Sequence, residues 1–322
     1  MAEAAPTADE LVDLKWKANL IDRIYASRDA VEIANKAVLC RYVEATNIGD
    51  LDELDNLVVE DFVEHEPIPG QPQGREGLKW AYAQFLDPFP DVKFIFDDVI
   101  GEGDLVVGRG VISATHTGPF FGIPATNKRV HWTGTRLFRM NDLKMTEGWV
   151  NIDMMSLMQQ MGAVPTPPGP DPSTLPKPPH LTGAPSTREA NKVLMHRFID
   201  EIWNEGKLEV ADEIFHPQAS SPSAPTLPLG GEAVKMIAGM FRSAFPDYWM
   251  RIDHIVAEPD RVAAKFTQGG THKGDLMGIP PTGKTVEWTE TGILRVADGK
   301  VVESWFDVDI LGLMGQLGVG GS

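Results

Sequence analysis

At 322 residues, with 29 Lys and Arg against 46 Asp and Glu, the chain carries a formal charge of −17, and its basic residues form no stripe able to neutralise nucleic-acid phosphates. One cysteine, Cys40, excludes a disulfide framework, and its place in a helical pattern marks it as a small buried apolar residue. No apolar run approaches the ~20 residues that span a bilayer, and the opening Met-Ala-Glu-Ala-Ala-Pro lacks the basic start and apolar run of a secretory leader. The expectation is a cytoplasmic protein with neither nucleic acid nor membrane as partner.

In chain order, Leu11, Leu14, Trp16, Leu20, Ile21, Ile24 and Tyr25 mark one stripe of a helix over about residues 8–28, so residues 1–30 read as an N-terminal helical extension. A first domain, 31–163, opens with helical spacing at Val31, Ala34, Val38 and Tyr42. A short helix follows Asp50 through Leu51, Leu54 and Val58, and a third runs over about 75–86. Strand alternation then occupies 92–100, 105–116, 130–140 and 144–152, separated by turns such as Gly101-Glu102-Gly103-Asp104, and a short helix opens at Asp153. Pro165, Pro167, Pro168, Pro170, Pro172, Pro176, Pro178, Pro179 and Pro185 make 164–186 a stiff linker of extended polyproline character.

The second domain, 187–322, repeats the first. From Gly74 to Gly162, adding 156 to a residue number gives its counterpart without a gap: His116 becomes His272, Gly122-Ile123-Pro124 becomes Gly278-Ile279-Pro280, and Glu147, Trp149, Asp153 and Gly162 become Glu303, Trp305, Asp309 and Gly318. Helices segregated from a run of meandering strands predict an α+β domain with a curved, mostly antiparallel sheet, present twice.

His116-x-Gly118 with Gly122-Ile123-Pro124 and Trp132, then Glu147-x-Trp149 and Asp153, then Leu157 through Gly162, resemble the SnoaL-like polyketide cyclases of the nuclear transport factor 2 superfamily, in both halves. The resemblance implies two tandem cone-shaped barrels closed by helices and a dimer formed through the sheets, which the tandem chain can make internally as a pseudo-dimer. It leaves further association of chains open. It also implies Asp153 and Asp309 as the acid/base residues. The fold alone does not select a reaction, because the superfamily spans cyclases, isomerases, dehydratases, hydrolases and binding modules.

From the residues themselves, strand alternation puts Glu147, Trp149, Asn151 and Asp153 on one face, and Glu303, Trp305, Asp307 and Asp309 on its counterpart. An apolar pocket raises a carboxyl pKa and turns Asp into a base able to remove a proton beside a carbonyl. Asp153 is equally well placed as the N-cap of the helix that follows it. His116 and His272 end a strand before a glycine turn, either to polarise a carbonyl or to tie down the Gly-Ile-Pro loop. His65, aligned with Ser221 at the same offset, is the candidate lost from the second copy. His131 against Glu287, Asn151 against Asp307, Arg109 against Lys265 and Asp98 against His254 also diverge. The first copy is therefore the expected active cavity.

The candidate catalytic set is His65, His116 and Asp153, with His272 and Asp309 in the second copy. The candidate substrate wall is Tyr82, Phe120, Trp132, Glu147, Trp149 and Asn151, with Trp288 and Trp305 in the second copy. Trp80 belongs to the same aromatic group, and such aromatics more often serve the core. No His-Glu-x-x-His, Cys-x-x-Cys, nucleophile elbow or dinucleotide fingerprint occurs, so no metal and no cofactor is expected. The expected function is cofactor-independent acid/base chemistry on an apolar, aromatic or polycyclic, oxygenated small molecule: an aldol or retro-aldol step, dehydration or isomerisation. Epoxide or ester hydrolysis and non-catalytic binding of a hydrophobic ligand are the alternatives.

Overall fold

The computed structural model describes residues 21–166, 175 and 177–319. Most of the expected N-terminal helix and the middle of the proline-rich stretch lie outside these residues; residues 21–24 are helical. The chain divides into two compact parts, one ending at Val150 and the other beginning at Asn151.

In the first copy, helix α1 (Ala30–Ile48) starts where the Asp29 carboxylate accepts the Val31 N–H at 2.8 Å and ends at Gly49, whose φ of 75° supplies the left-handed cap. A single 3-10 turn (Leu51–Glu53) and the four-residue helix α2 (Leu54–Leu57) lead into strand β1 (Val58–Glu64). Helix α3 (Gly74–Leu86) precedes β2 (Lys93–Glu102), β3 (Leu105–Thr115), β4 (Arg129–Asn141) and β5 (Lys144–Ile152), and α4 (Met154–Met161) follows. The second copy repeats this order. It comprises α5 (Arg188–Arg197), continued by a π-helical segment (Phe198–Asn204), α6 (Val210–Ile214), β6 (Phe215–Ser220), α7 (Gly231–Ala244), β7 (Trp249–Glu258), β8 (Arg261–Thr271), β9 (Thr285–Ala297), β10 (Lys300–Val308) and α8 (Ile310–Leu317).

Each copy builds one five-stranded sheet, ordered β1-β5-β4-β3-β2 and β6-β10-β9-β8-β7, with β1 and β6 as parallel edge strands on otherwise antiparallel ladders. The sequence pattern does not reveal β1, because its Glu60-Asp61 pair breaks the alternation and Val58 reads as the end of the preceding helix. Register shifts fall at matching places, Phe96/Asp98 in one copy and Ile252/His254 in the other. Such bulges bend a sheet. At Gly110 a Cβ would lie 2.2 Å from the Ile95 backbone oxygen, so the tightest part of the bend admits only glycine.

The copies differ by one residue in the first helix. Asn35 and Asn191, at an offset of 156, each donate to a backbone carbonyl, of Gly103 and Glu258. Asn47 and Asn204, which clamp Phe94 and Met250 through paired backbone hydrogen bonds, are offset by 157. The extra residue is absorbed by the π-helical segment, a distortion often found at functional sites.

Its consequence appears in the edge strand. Val58 pairs with Met145 and Val63 with Glu147, whereas Phe215 pairs with Val301 and Ser220 with Glu303. The counterpart of His65 is therefore Pro222, and Ser221 is the counterpart of Glu64, which corrects the ungapped alignment.

Candidate active site

Which face of each sheet looks into its cone is decided by contacts. A Cβ on Gly148 would lie 2.6 Å from the Phe62 ring and 3.3 Å from Phe138, both core residues beneath the helices, so Gly148 faces inward. Its neighbours Glu147 and Trp149 therefore face away. In the second copy, β10 residues Ser304, Phe306 and Val308 pair with Leu294, Gly292 and Glu290 on the concave side, while Glu303, Trp305 and Asp307 pair with Arg295, Ile293 and Thr291 on the other. The expectation that Glu147, Trp149, Asn151 and Trp305 line the cavity is corrected accordingly. They share a face, as the alternation requires, and it is the outer one.

His65 belongs to that outer face. Its ring stacks on Trp149 with centroids 4.3 Å apart, and Nε2 lies 2.9 Å from Glu147, whose other oxygen accepts from Arg139 Nε at 3.0 Å. This half-exposed group is a surface ion-pair network over an aromatic platform.

Asp153 caps α4, its carboxylate accepting the Ser156 N–H at 2.9 Å, and Asp309 caps α8 through the Gly312 N–H at 2.8 Å. Burial raises the Asp153 pKa, with the Ser156 N–H pulling the other way. His116 and His272 are fully buried. In each, Nδ1 accepts a backbone N–H, from Thr126 or Thr282, which assigns the proton to Nε2. Among the described residues that Nε2 has no hydrogen-bond partner, nor have the indole N–H groups of Trp132 and Trp288. Each His–Trp set packs round one phenylalanine: Phe89 lies 5.3 Å from His116 and 5.6 Å from Trp132, and Phe245 5.3 Å from His272 and 5.4 Å from Trp288. Phe120 joins the first set, 5.0 Å from Phe89. Burial lowers the pKa of His116, keeping it neutral, with the Gly118 backbone acting the other way.

The sequence reading missed the ionisable groups on the concave faces. In the first cone, Arg136 on β4 donates from Nη2 to Glu64 at 2.7 Å and from Nη1 to the phenol oxygens of Tyr42 and Tyr82, the latter at 3.3 Å. Tyr42 donates to Tyr82 at 2.8 Å. Tyr82 thus accepts twice, and its own hydroxyl hydrogen has no acceptor among the described residues. The Arg136 and Glu64 side chains are 12% and 6% exposed, and Glu64 Oε1 and Arg136 Nε lack partners among the described residues. Burial raises the Glu64 pKa, and Arg136 opposes that rise.

None of these side chains recurs in the second cone, where Phe198, Ser221, Ala238 and Gly292 stand at the matching positions. There Glu290 on β9, 6% exposed, replaces Gly134, and Gln268 Nε2 donates to it at 2.5 Å. Tyr248 donates in turn to Gln268 Oε1. Burial lifts the Glu290 carboxyl to about 7, with Gln268 the main opposing influence.

Among the described residues no helix is long and apolar enough to cross a membrane, and no group of three or more His, Cys, Asp and Glu is disposed to hold a metal. Burial pushes the Cys40 thiol up to about 12, so it is no nucleophile.

The model of the SnoaL-like polyketide cyclase family matches residues 36–161 and again 193–317. The nogalonic acid methyl ester cyclase of Streptomyces nogalater is 28% identical over 120 residues, covering 36% of this chain and 89% of that protein. The aklanonic acid methyl ester cyclase of Streptomyces peucetius is 30% identical over 131 residues, covering 39% and 88%. Among solved structures, a polyketide cyclase homologue from Streptomyces antibioticus is 31% identical, covering 40% of this chain and 98% of its own, with a TM-score of 0.37. The chain belongs to the SnoaL-like polyketide cyclase family and carries two copies of its domain in tandem.

Proposed function

We propose that this protein is a cofactor-independent acid/base enzyme that enolises, and so cyclises, dehydrates or isomerises, an apolar oxygenated small molecule, with the methyl esters of polyketide acids named for its relatives as the nearest chemical class. The observation that carries this reading is the first cone's buried Glu64 carboxyl, with one oxygen unpartnered, beside a guanidinium and two phenols. An isolated buried ion pair is a poor stabiliser, and the second copy folds without it, so the fold does not require the cluster.

Glu64 Oε1 is a base that accepts a proton from the carbon next to a carbonyl. The C–H electron pair moves onto the carbonyl oxygen, where the Tyr82 hydroxyl and Arg136 donate hydrogen bonds to the growing negative charge. For an aldol closure the enolate carbon attacks a second carbonyl in the same molecule, and the proton held on Glu64 passes to the new alkoxide, so nothing is consumed. Asp153, the acid/base implied by family resemblance, is the competing base.

The test is conversion of nogalonic and aklanonic acid methyl esters, followed by chromatography because an aldol closure leaves the mass unchanged. Glu64→Gln is expected to lower conversion by about 100-fold or more. A fully active Glu64→Gln variant beside an inactive Asp153→Asn variant transfers the role to Asp153. Binding of either ester without conversion by the wild type overturns the enzymatic reading.

A further inference from the structure

The second cone presents a different chemistry in the same shell. Its concave face alternates Trp288, Glu290, Gly292 and Leu294 along β9, so a carboxyl sits in the inward row between a tryptophan and a glycine. Among the described residues the hydrogen bond to that carboxyl comes from a neutral amide, Gln268, itself held by Tyr248. The charged groups that reach it electrostatically are Asp307 on β10 and Lys265 on β8, and both residues lie in the outward rows of their strands. Burying a carboxyl with only a neutral partner is costly, and Gly134 in the first copy shows that the sheet closes without one.

Aromatic rings fill the same cone: Trp288 lies 5.8 Å from Phe241 and 6.2 Å from Tyr248, the donor to Gln268, and the π-helical segment brings Trp203 to 5.6 Å from Tyr248. The same copy holds two buried N–H donors without partners among the described residues, His272 Nε2 and, two residues before Glu290 on β9, Trp288 Nε1. Base, aromatic wall and unspent donors are the parts needed to enolise a neutral carbonyl compound.

We propose that the second cone is a separate active site in which Glu290 is the acid/base residue, selective for neutral, aromatic, enolisable ketones, whereas the arginine-bearing first cone takes ligands that build up negative charge against Arg136. This assignment stands or falls independently of Glu64. In the step assigned to Glu290, the carboxylate takes a proton from the carbon beside the carbonyl, the C–H pair becomes the enolate, and the same proton or one exchanged with solvent returns to carbon. The enolate oxygen is held by the His272 and Trp288 N–H groups.

The experiment uses 2-tetralone in deuterium oxide and measures deuterium entering the carbon between its ring and carbonyl by mass spectrometry. The full-length protein is expected to speed exchange at least ~100-fold over buffer, with activity rising as Glu290 ionises near neutrality and levelling above pH 8. Glu290→Gln, shown folded by circular dichroism, is expected to lose that acceleration. His65→Ala, a change on the outer face, is expected to keep it, and Glu290→Asp to recover part of it. Exchange at the buffer rate in the wild type, or undiminished exchange in Glu290→Gln, overturns the proposal. Loss in Glu64→Gln with retention in Glu290→Gln overturns it too and moves the exchange to the first cone.

Discussion

Replacing Glu290 with Gln isolates what a buried carboxyl does to stability. Its pKa stands at about 7 in the folded chain against an ordinary 4.5, so ionisation is harder in the folded state than in the unfolded one. The stability this group contributes is therefore full below pH 4.5 and is lost as pH rises through 7. The glutamine variant keeps the Gln268 contact and removes the charge. Relative to wild type it is expected to be more stable by roughly 1 kcal/mol at pH 5.5 and roughly 3 kcal/mol at pH 8.5, each pH step through the shifted range adding on the order of 1 kcal/mol. The assay is urea unfolding at both pH values, with hydrogen–deuterium exchange of β9 identifying the transition that moves. An equal shift at both pH values, or destabilisation at pH 8.5, would refute the argument that burial sets this carboxyl.

Other changes separate the two faces of each sheet. Arg136→Leu strands a buried carboxylate and is expected to cost about 3–5 kcal/mol, whereas Arg136→Leu with Glu64→Leu returns most of it, as urea midpoints of the single and double variants will show. His65→Ala removes a half-exposed hydrogen bond to Glu147 and a ring stack on Trp149, so its expected cost is about 1 kcal/mol with turnover unchanged; a large loss of turnover would contradict the outer-face assignment. Gly110→Ala drives a methyl into the Ile95 carbonyl, and a drop in melting temperature larger than that of Gly239→Ala, a helical position where a Cβ meets nothing within 4 Å, checks the account of the bend.

The repeat, the segregation of helices from strands and the last four strands of each copy are legible in the sequence, because alternation and turn residues are local signals. Strand β1 is not, since its exposed Glu60-Asp61 pair hides the alternation and its parallel partner lies 84 residues on at Glu147. Alternation also says which residues share a face without saying which face is inside. Alternation groups Glu147 with Trp149, yet Gly148 between them is the inward residue. A signal for the missed groups exists: in Trp132-x-Gly134-x-Arg136-x-Phe138 and Trp288-x-Glu290-x-Gly292-x-Leu294, a charge interrupts the apolar half of an alternating strand. The single-residue π insertion is invisible without the backbone, and it displaced the partner assigned to His65.

The central claim, that the chemistry belongs to carboxyls on the concave faces, is tested most directly by comparing two double variants for conversion of the polyketide methyl esters and for deuterium exchange into 2-tetralone. Glu64→Gln with Glu290→Gln is expected to abolish both activities in a folded protein, and His65→Ala with Glu147→Gln to leave both within about twofold of wild type. Full activity in the first variant, or its loss in the second, would contradict the account.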